Sequence, residues 1–316
     1  MKKIIEKVNS RKIFGRGAKV APLSGGIINA SFIVRRQDTD QAFILQKVKT
    51  GLGGITVQDY IRLADYLHGE GLPIPRILDH WTDEDGEWKV SECVPHARVR
   101  GPNRWVAGAV ARYMSKMHQA LRDCPFKPES SIPGFHDSTA IFETLAAHLS
   151  GARERQVLEL GTPVLFEGRR LPVPKSPRQL IHGDPKFDNF LFGSSVERID
   201  IAALIDWDTL MEGHVLVDLG DMSRSFCREN GNGFDPFVFG AICRNYTGGL
   251  EPIAHNDILN ATKLITLELS ARFLIDWFEN RYFGWDPAKF PSRRASNLAA
   301  ARRYFEYWKT MPEGID

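Results

Sequence analysis

The chain has 316 residues, 43% hydrophobic and 25% charged, and a formal charge of +2. That length holds one large domain or two moderate ones around a sizeable core. The composition is that of a soluble globular protein, and near-neutrality argues against a nucleic-acid binder that relies on phosphate attraction.

The four cysteines, Cys93, Cys124, Cys227 and Cys243, form no Cys-x-x-Cys pair, and no His/Cys cluster has zinc spacing. Scattered cysteines in a chain of this size fit a reducing compartment. The basic start, Met1 to Val8, has no apolar segment behind it. No run approaches the roughly 18 apolar residues of a membrane helix. A cytoplasmic protein that does not enter the membrane is therefore expected.

Residues 1–94 read as strand-rich. Residues 31–34 and 42–48 are short β-branched and aromatic runs, and polar residues 35–41 join them as a hairpin. Gly25 and Gly26 precede the first run. Thr56 opens a helical pattern as a capping residue with Asp59 at the capping-box position, and Val57, Tyr60, Ile61, Ala64 and Leu67 share a face. Residues 71–75, Gly-Leu-Pro-Ile-Pro, end it. Residues 76–81 and 87–94 form a second hairpin, turned at 83–86. The order is strand, strand, helix, strand, strand.

After Pro95 the pattern becomes helical. Val106, Val110, Tyr113, Met114, Met117 and Leu121 recur at three- and four-residue steps. His118 on this helix is read as structural. Residues 124–134 are a loop, Asp137 or Ser138 caps a helix to about Leu149, and Pro/Gly-bearing residues 161–178 read as a connection. Three more helices are expected near 235–246, 256–278 and 296–311. There is no internal repeat.

The chemistry sits at residues 180–192 and 204–208. His182-Gly-Asp184 with Asn189 five residues on lies between apolar runs, and an apolar strand then delivers Asp206 and Asp208. Phosphoryl transfer needs a group to orient the incoming hydroxyl, Mg²⁺ to neutralise phosphate charge, and oxygens to hold the metal. The spacing matches the kinase catalytic loop, His-x-Asp-x-x-x-x-Asn. Asp184 then orients the acceptor hydroxyl and takes its proton, and Asn189 and Asp206 hold Mg²⁺. His182 braces the loop, and Asp208 holds a metal-bound water or an acceptor hydroxyl. Asp-Trp-Asp in place of Asp-Phe-Gly points away from a protein kinase and toward a small-molecule kinase. The bland alternative is a polar loop with acids facing water.

Two N-terminal features gain meaning from this loop. Gly25 and Gly26 are either a simple turn or a backbone cover for a phosphate. Lys47 either points to solvent or reaches nucleotide phosphates, held by Asp59 or Asp65.

On these residues the chain resembles the aminoglycoside phosphotransferase and choline kinase family over nearly its whole length. The resemblance implies an α+β, protein-kinase-like bilobal fold. Residues 1–94 form the small β-rich nucleotide-binding lobe, and residues 95–316 the mainly helical catalytic and acceptor lobe. It implies ATP and Mg²⁺ as cofactors, with Gly25, Gly26, Lys47 and the hinge residues Glu92 and Val94 at the nucleotide. A narrower similarity to N-acetylhexosamine 1-kinases rests on residues 25–31, 43–47, 205–211, 217–224 and 271–276. It implies a carbohydrate acceptor. The histidine and acid usual near Asn29 in that subgroup are replaced by Ile27 or Ile28 and Ala30.

Asn29, Asp208, Asp221, Arg224, Arg272 and Asp276 are the expected acceptor contacts, with Trp277, Arg281 and Tyr282 nearby. Asp221 and Arg224 fit a structural ion pair equally well. No dense acid cluster follows residue 235, which favours a neutral acceptor over aminoglycoside, choline or homoserine. A catalytically silent nucleotide-binding protein would have lost Asp184, Asn189 or Asp206, and all three are present.

Overall fold

The structure, a computed structural model, describes every residue except 24–29, 49–52, 176, 194–198, 230–232, 250–251 and 316. The expectations for Gly25, Gly26 and Asn29, and for Ile27 and Ile28, lie outside the described residues.

Helix α1 (Lys2–Ser10) precedes an antiparallel sheet of β1 (Lys19–Pro22), β2 (Ala30–Arg35), β3 (Ala42–Lys47), β4 (Ile77–Asp83) and β5 (Gly86–Glu92), ordered β1-β2-β3-β5-β4. Alternation along β3 and β5 puts Phe43, Leu45, Trp88 and Val90 on one face. There they form a core with Val8 of α1 and Phe14. α1 and β1 add to the five elements read from the sequence.

Helix α2 (Val57–Gly69) lies between β3 and β4 in sequence. Thr56 Oγ1 accepts the Asp59 N–H at 3.0 Å, as the cap requires. The Asp59 carboxylate does not return to the cap, because it accepts the Glu129 N–H at 2.8 Å. Tyr60, Leu63, Ala64 and Leu67 of α2 are buried against helix α3 (Arg104–Arg122) in the largest core of the molecule.

The larger lobe continues with α4 (Ser138–Ser150) and α5 (Arg155–Arg170). α5 occupies much of the stretch expected to be a connection. Pro163 lies inside it, at the cost of a ladder hydrogen bond. Buried Val157, Leu160 and Val164 supply a helical apolar stripe, and Gly161 and Gly168 lie flush against Leu149 and Phe142 of α4. Here the small residues serve close helix packing and do not mark a break.

Two short two-stranded sheets follow, one nested inside the other in sequence. β6 (Arg178–Ile181) pairs with β9 (Met211–His214), and β7 (Phe190–Phe192) pairs with β8 (Ile201–Leu204). Pairing β6 with β9 sets Ile181 beside Met211, so residues 182–184 and 206–210 leave the β6–β9 sheet side by side. Helix α6 (Val215–Phe226), absent from the sequence reading, follows directly, then α7 (Pro236–Asn245), α8 (His255–Glu279) and α9 (Arg293–Lys309). Among the described residues no helix is long and apolar enough to cross a membrane.

α6 and α8 touch at backbone distance. A Cβ on Gly220 would stand 2.7 Å from the Ala261 carbonyl oxygen and 2.8 Å from its carbon. Backbone cannot step aside as a flexible side chain can. Gly220→Ala is therefore expected to destabilise the protein by roughly 1–3 kcal/mol despite alanine's better helix propensity. Denaturant unfolding of the two proteins checks this, and an unchanged midpoint would disprove the close approach.

Candidate active site

The loop after β6 is held by one buried carboxylate. Asp218 on α6 has no exposed surface. It accepts the N–H of His182 at 2.9 Å and of Gly183 at 2.7 Å, and pairs with His118 Nε2 of α3 at 2.9 Å. His118 Nδ1 reaches the Tyr246 hydroxyl at 2.7 Å. Burial alone would push the Asp218 carboxyl up. His118 and the loop donors outweigh it and hold the group below the usual carboxylate range.

His182 is buried beneath the loop. Its Nε2 meets the Ile205 carbonyl at 3.0 Å, and its Nδ1 accepts the Asp184 N–H at 3.2 Å. One ring nitrogen donates and the other accepts, which is the neutral imidazole. Burial lowers its pKa in the same sense. Gly183 has φ +86°, and a Cβ there would stand 2.6 Å from the Thr209 carbonyl oxygen, so the position requires glycine.

Asp184 then projects into the cleft. Its carboxyl is raised to about 6, first by burial and next by the Asp221 charge, while Lys186 opposes the rise. Lys186 Nζ hydrogen-bonds the Asp184 carboxylate and stands 3.9 Å from Asp206 Oδ2. Burial lowers the Lys186 pKa, but the two carboxylates outweigh it and the net shift is upward. Asn189 Nδ2 donates to the Asp184 carbonyl at 2.8 Å. That bond orients the amide and leaves Oδ1 as a free oxygen donor.

Asp206 adopts the left-handed conformation, φ +68° and ψ +51°, directly after the Ile205 N–H bonds the Asn189 carbonyl at 2.9 Å. A non-glycine residue held there stores backbone strain, a frequent mark of functional loops. Asn189 and Asp206 together offer an amide oxygen and a half-exposed carboxylate. Few protein oxygens, all hard, suit a Mg²⁺ ion that keeps its waters and phosphate ligands. Among the described residues no group of three or more His, Cys, Asp or Glu side chains forms an all-protein metal cage.

The expected lysine is placed differently. Lys47 pairs with Trp88 in the sheet, and its ammonium lies 5.9 Å from the Trp88 ring on the α1 face. Asp59 and Asp65, its expected partners, bond Glu129 and Arg76 instead. Lys89 of β5, for which no sequence expectation was stated, reaches instead the segment that follows Asp206. It meets Asp208 Oδ1 at 2.8 Å. At the end of the sheet, Glu92 takes the Arg76 N–H at 3.0 Å, and the Val94 carbonyl meets His96 Nδ1 at 2.9 Å. The following linker is tied to β7 through the Ala97 N–H and the Phe192 carbonyl at 2.8 Å.

The expected acceptor contacts divide. Asp221 and Arg224 form a buried pair at 2.6 Å near Asp184, and Asp221 Oδ2 is buried with no protein partner. Arg272 stacks 4.5 Å over Phe135 and donates to the Tyr282 hydroxyl at 3.1 Å. Asp276, expected at the acceptor, is closed off by protein donors. It is buried, and its oxygens accept the N–H groups of Arg281, Tyr282 and Phe283 and the Asn297 amide. Such a set of donors completes the carboxylate, and its work is to fold the 281–283 turn.

Two further residues, His136 and Glu268, brace the loop without having been read from the sequence. His136 Nε2 donates to the Gly183 carbonyl at 2.6 Å and Nδ1 to Glu268 at 2.8 Å, and Ser138 completes Glu268 at 2.8 Å. Neither lies in a local motif, and only folding brings residues 136, 183 and 268 together.

Comparison with known proteins follows the same outline. The profile described as "Phosphotransferase enzyme family" matches residues 19–252. A homoserine kinase of Pseudomonas aeruginosa is 27% identical over 248 residues, 73% of this chain and 72% of that protein. Wild-type aminoglycoside 2′-phosphotransferase-IIIa, solved as a GDP complex, superposes with a TM-score of 0.63 at 12% identity, over 96% of this chain and 98% of its own. An amicoumacin kinase solved with AMP-PNP and Ca²⁺ gives 0.62 at 14% identity, over 99% and 95%. These likenesses show a kinase-like fold.

The His136–Glu268 pair yields a pH-dependent prediction. Burial lowers the His136 pKa, but Glu268 outweighs it and the net shift is upward, while the Glu268 carboxyl ends below its usual range. The raised histidine contributes stability that is full below its unfolded value of about 6.5 and lost as pH rises through its folded value. The lowered glutamate contributes above its unfolded value of about 4.3. His136→Gln is thus expected to cost on the order of 3–5 kcal/mol between about pH 5 and 6.5, with the difference shrinking toward alkaline pH. Unfolding of both proteins across pH 5–9 reads it, and a pH-independent difference would refute the charged pair.

Proposed function

The chain belongs to the phosphotransferase enzyme family, and on that premise we propose that it transfers the γ-phosphate of ATP to an alcohol of a small molecule, with a sugar hydroxyl as the leading acceptor. The observation that carries the reading is the meeting of Asp184 and Asn189, on the braced loop, with Asp206 on the segment after β8: Lys186 bonds Asp184 and stands 3.9 Å from Asp206 Oδ2, and the Ile205 N–H bonds the Asn189 carbonyl. Residues 1–94 serve the nucleotide and residues 95–316 the catalysis and the acceptor, and the cytoplasm is the proposed location.

Asn189 Oδ1 and Asp206 are the residues that hold Mg²⁺, which when bound neutralises charge on the phosphates. Asp184 accepts a hydrogen bond from the acceptor hydroxyl and so aims its oxygen at the γ-phosphorus. As that oxygen bonds to phosphorus and the bond to the ADP oxygen breaks, the proton passes to Asp184. A carboxyl raised to about 6 is a better proton acceptor than an ordinary aspartate while remaining ionised near neutrality. His182 and Asp218 keep the loop in place. Lys186, between Asp184 and Asp206, keeps the two acids from repelling each other.

The sugar reading is supported by the resemblance of the separated segments to N-acetylhexosamine 1-kinases and by the aromatic and arginine groups at Phe135, Arg272 and Tyr282. An amino-alcohol acceptor is the second reading, favoured by the homoserine kinase relative. An ADP-release screen over N-acetylhexosamines, simple sugars, aminoglycosides, choline and homoserine separates the two. Phosphorus NMR of the product is expected to show a sugar 1-phosphate. Turnover confined to amine-bearing alcohols would replace the first reading by the second.

Asp184→Asn is expected to lower kcat by about 10²–10⁴ with the fold intact. Asp206→Asn should abolish the Mg²⁺ dependence of nucleotide binding, measured by titration calorimetry. Full turnover by the Asp184 variant would remove that residue's assigned role.

A further inference from the structure

Lys47 and Lys89 stand on neighbouring strands and face opposite ways. β3 and β5 are antiparallel, with Lys47 opposite Trp88 and Gln46 opposite Lys89. Opposed residues share a face and adjacent residues do not. Lys47 therefore lies on the face of Phe43, Leu45 and Trp88, packed toward α1. Lys89 lies on the other face, 5.4 Å from the Tyr60 ring of α2 and in contact with the metal loop through Asp208.

We propose that Lys89 is the lysine that holds the nucleotide phosphates in this enzyme, in place of a lysine on the third strand. The inference rests on the kinase reading of the site.

Three observations carry it. The first is position: Lys89 bridges from the sheet to Asp208, two residues after Asp206, so its ammonium stands where the lobes face each other across the loop. The second is burial. The side chain is 8% exposed, and a lysine is seldom so buried without a task that repays its desolvation. The third is donor count. An ammonium carries three donors, and Asp208 takes one. The other two suit phosphate oxygens.

Asp208 thus acquires a role as well. Its carboxylate holds the lysine pointed at the loop before nucleotide arrives, which spares the ordering of a long side chain on binding. Gln46 occupies the strand position on the same face that a third-strand lysine would use. It donates to Ser31 Oγ at 3.1 Å and carries no charge to offer a phosphate.

The test uses the full chain and two kinds of measurement. In the first, Lys89→Met and Lys47→Met are compared for ATP affinity, KM for ATP, KM for the acceptor and unfolding midpoint. Lys89→Met is expected to weaken ATP binding and raise KM for ATP by about tenfold or more, the worth of a charged hydrogen bond, with the acceptor KM little changed. Lys47→Met should match the wild type. An unchanged KM for ATP in Lys89→Met, or the large effect in Lys47→Met, overturns the proposal.

The second measurement needs no variant. An acyl-phosphate derivative of ATP acylates a lysine beside its phosphates: the lysine Nζ attacks the acyl carbon, the amide forms, and ATP departs as the leaving group. Peptide mass spectrometry should find the acyl group on Lys89, with labelling suppressed by excess MgATP. Labelling at Lys47 with Lys89 untouched overturns the assignment. A wild type that neither binds MgATP nor releases ADP with any acceptor defeats the kinase reading itself. A wild type that does both while Lys89→Met keeps its KM for ATP defeats only the role of Lys89.

Discussion

The Asp218 carboxylate is the constraint on which the site depends. A bare carboxylate in an apolar interior costs several kcal/mol, and it is tolerable only when donors replace the lost water. Here the donors are the successive N–H groups of His182 and Gly183 and the ring of His118. The charge therefore gathers three parts of the chain, α3, the loop after β6, and α6. The loop in turn owes its shape to the charge, since its two N–H groups would otherwise be buried without acceptors. Gly183 fits because the loop turns so tightly against Thr209 that no side chain can follow.

From that anchor the electrostatics of the cleft become intelligible. Asp184, Asp206 and Asp221 crowd one region, and Lys186 and Arg224 offset only part of their charge. Burial and, after it, the Asp221 charge raise the Asp184 carboxyl, and Asp206 is left as an exposed carboxylate of a kind suited to a cation. The arginine is buried and serves Asp221, whereas Lys186 spans Asp184 and Asp206. Lys89 brings a further cation from the opposite lobe and reaches the segment after Asp206 through Asp208.

Helix α8 organises the wall beside the loop through residues four apart, which share a face. Glu268 locks His136 against the Gly183 carbonyl, Arg272 stacks on Phe135, and Asp276 folds the turn that presents Tyr282 to Arg272. One stripe of a buried helix thus joins the catalytic loop to the aromatic wall. His136 holds a strained left-handed backbone, φ +61°, at the start of this network. Strain of that kind persists when the surrounding bonds outweigh it.

The grouping of the candidate site residues was legible in the amino-acid sequence because they are local. His182, Asp184 and Asn189 share one loop, and Asp206 follows after one hairpin, so spacing alone brings them together. The outline of a strand-rich lobe and a helical lobe was legible too, through alternation in the first and three- and four-residue periodicity in the second. Helix α6 was not, because it is buried on nearly every side and carries Asp218, Asp221, Ser223 and Arg224 inward, where a sequence reading expects apolar residues. Only the tertiary structure decided which lysine faces the cleft, since one residue of register turns a side chain to the other face of a sheet. It also decided that Asp276 belongs to a turn and that His136 and Glu268 belong to the loop. Those roles depend on hydrogen bonds between residues distant in sequence, and no local pattern encodes such partners.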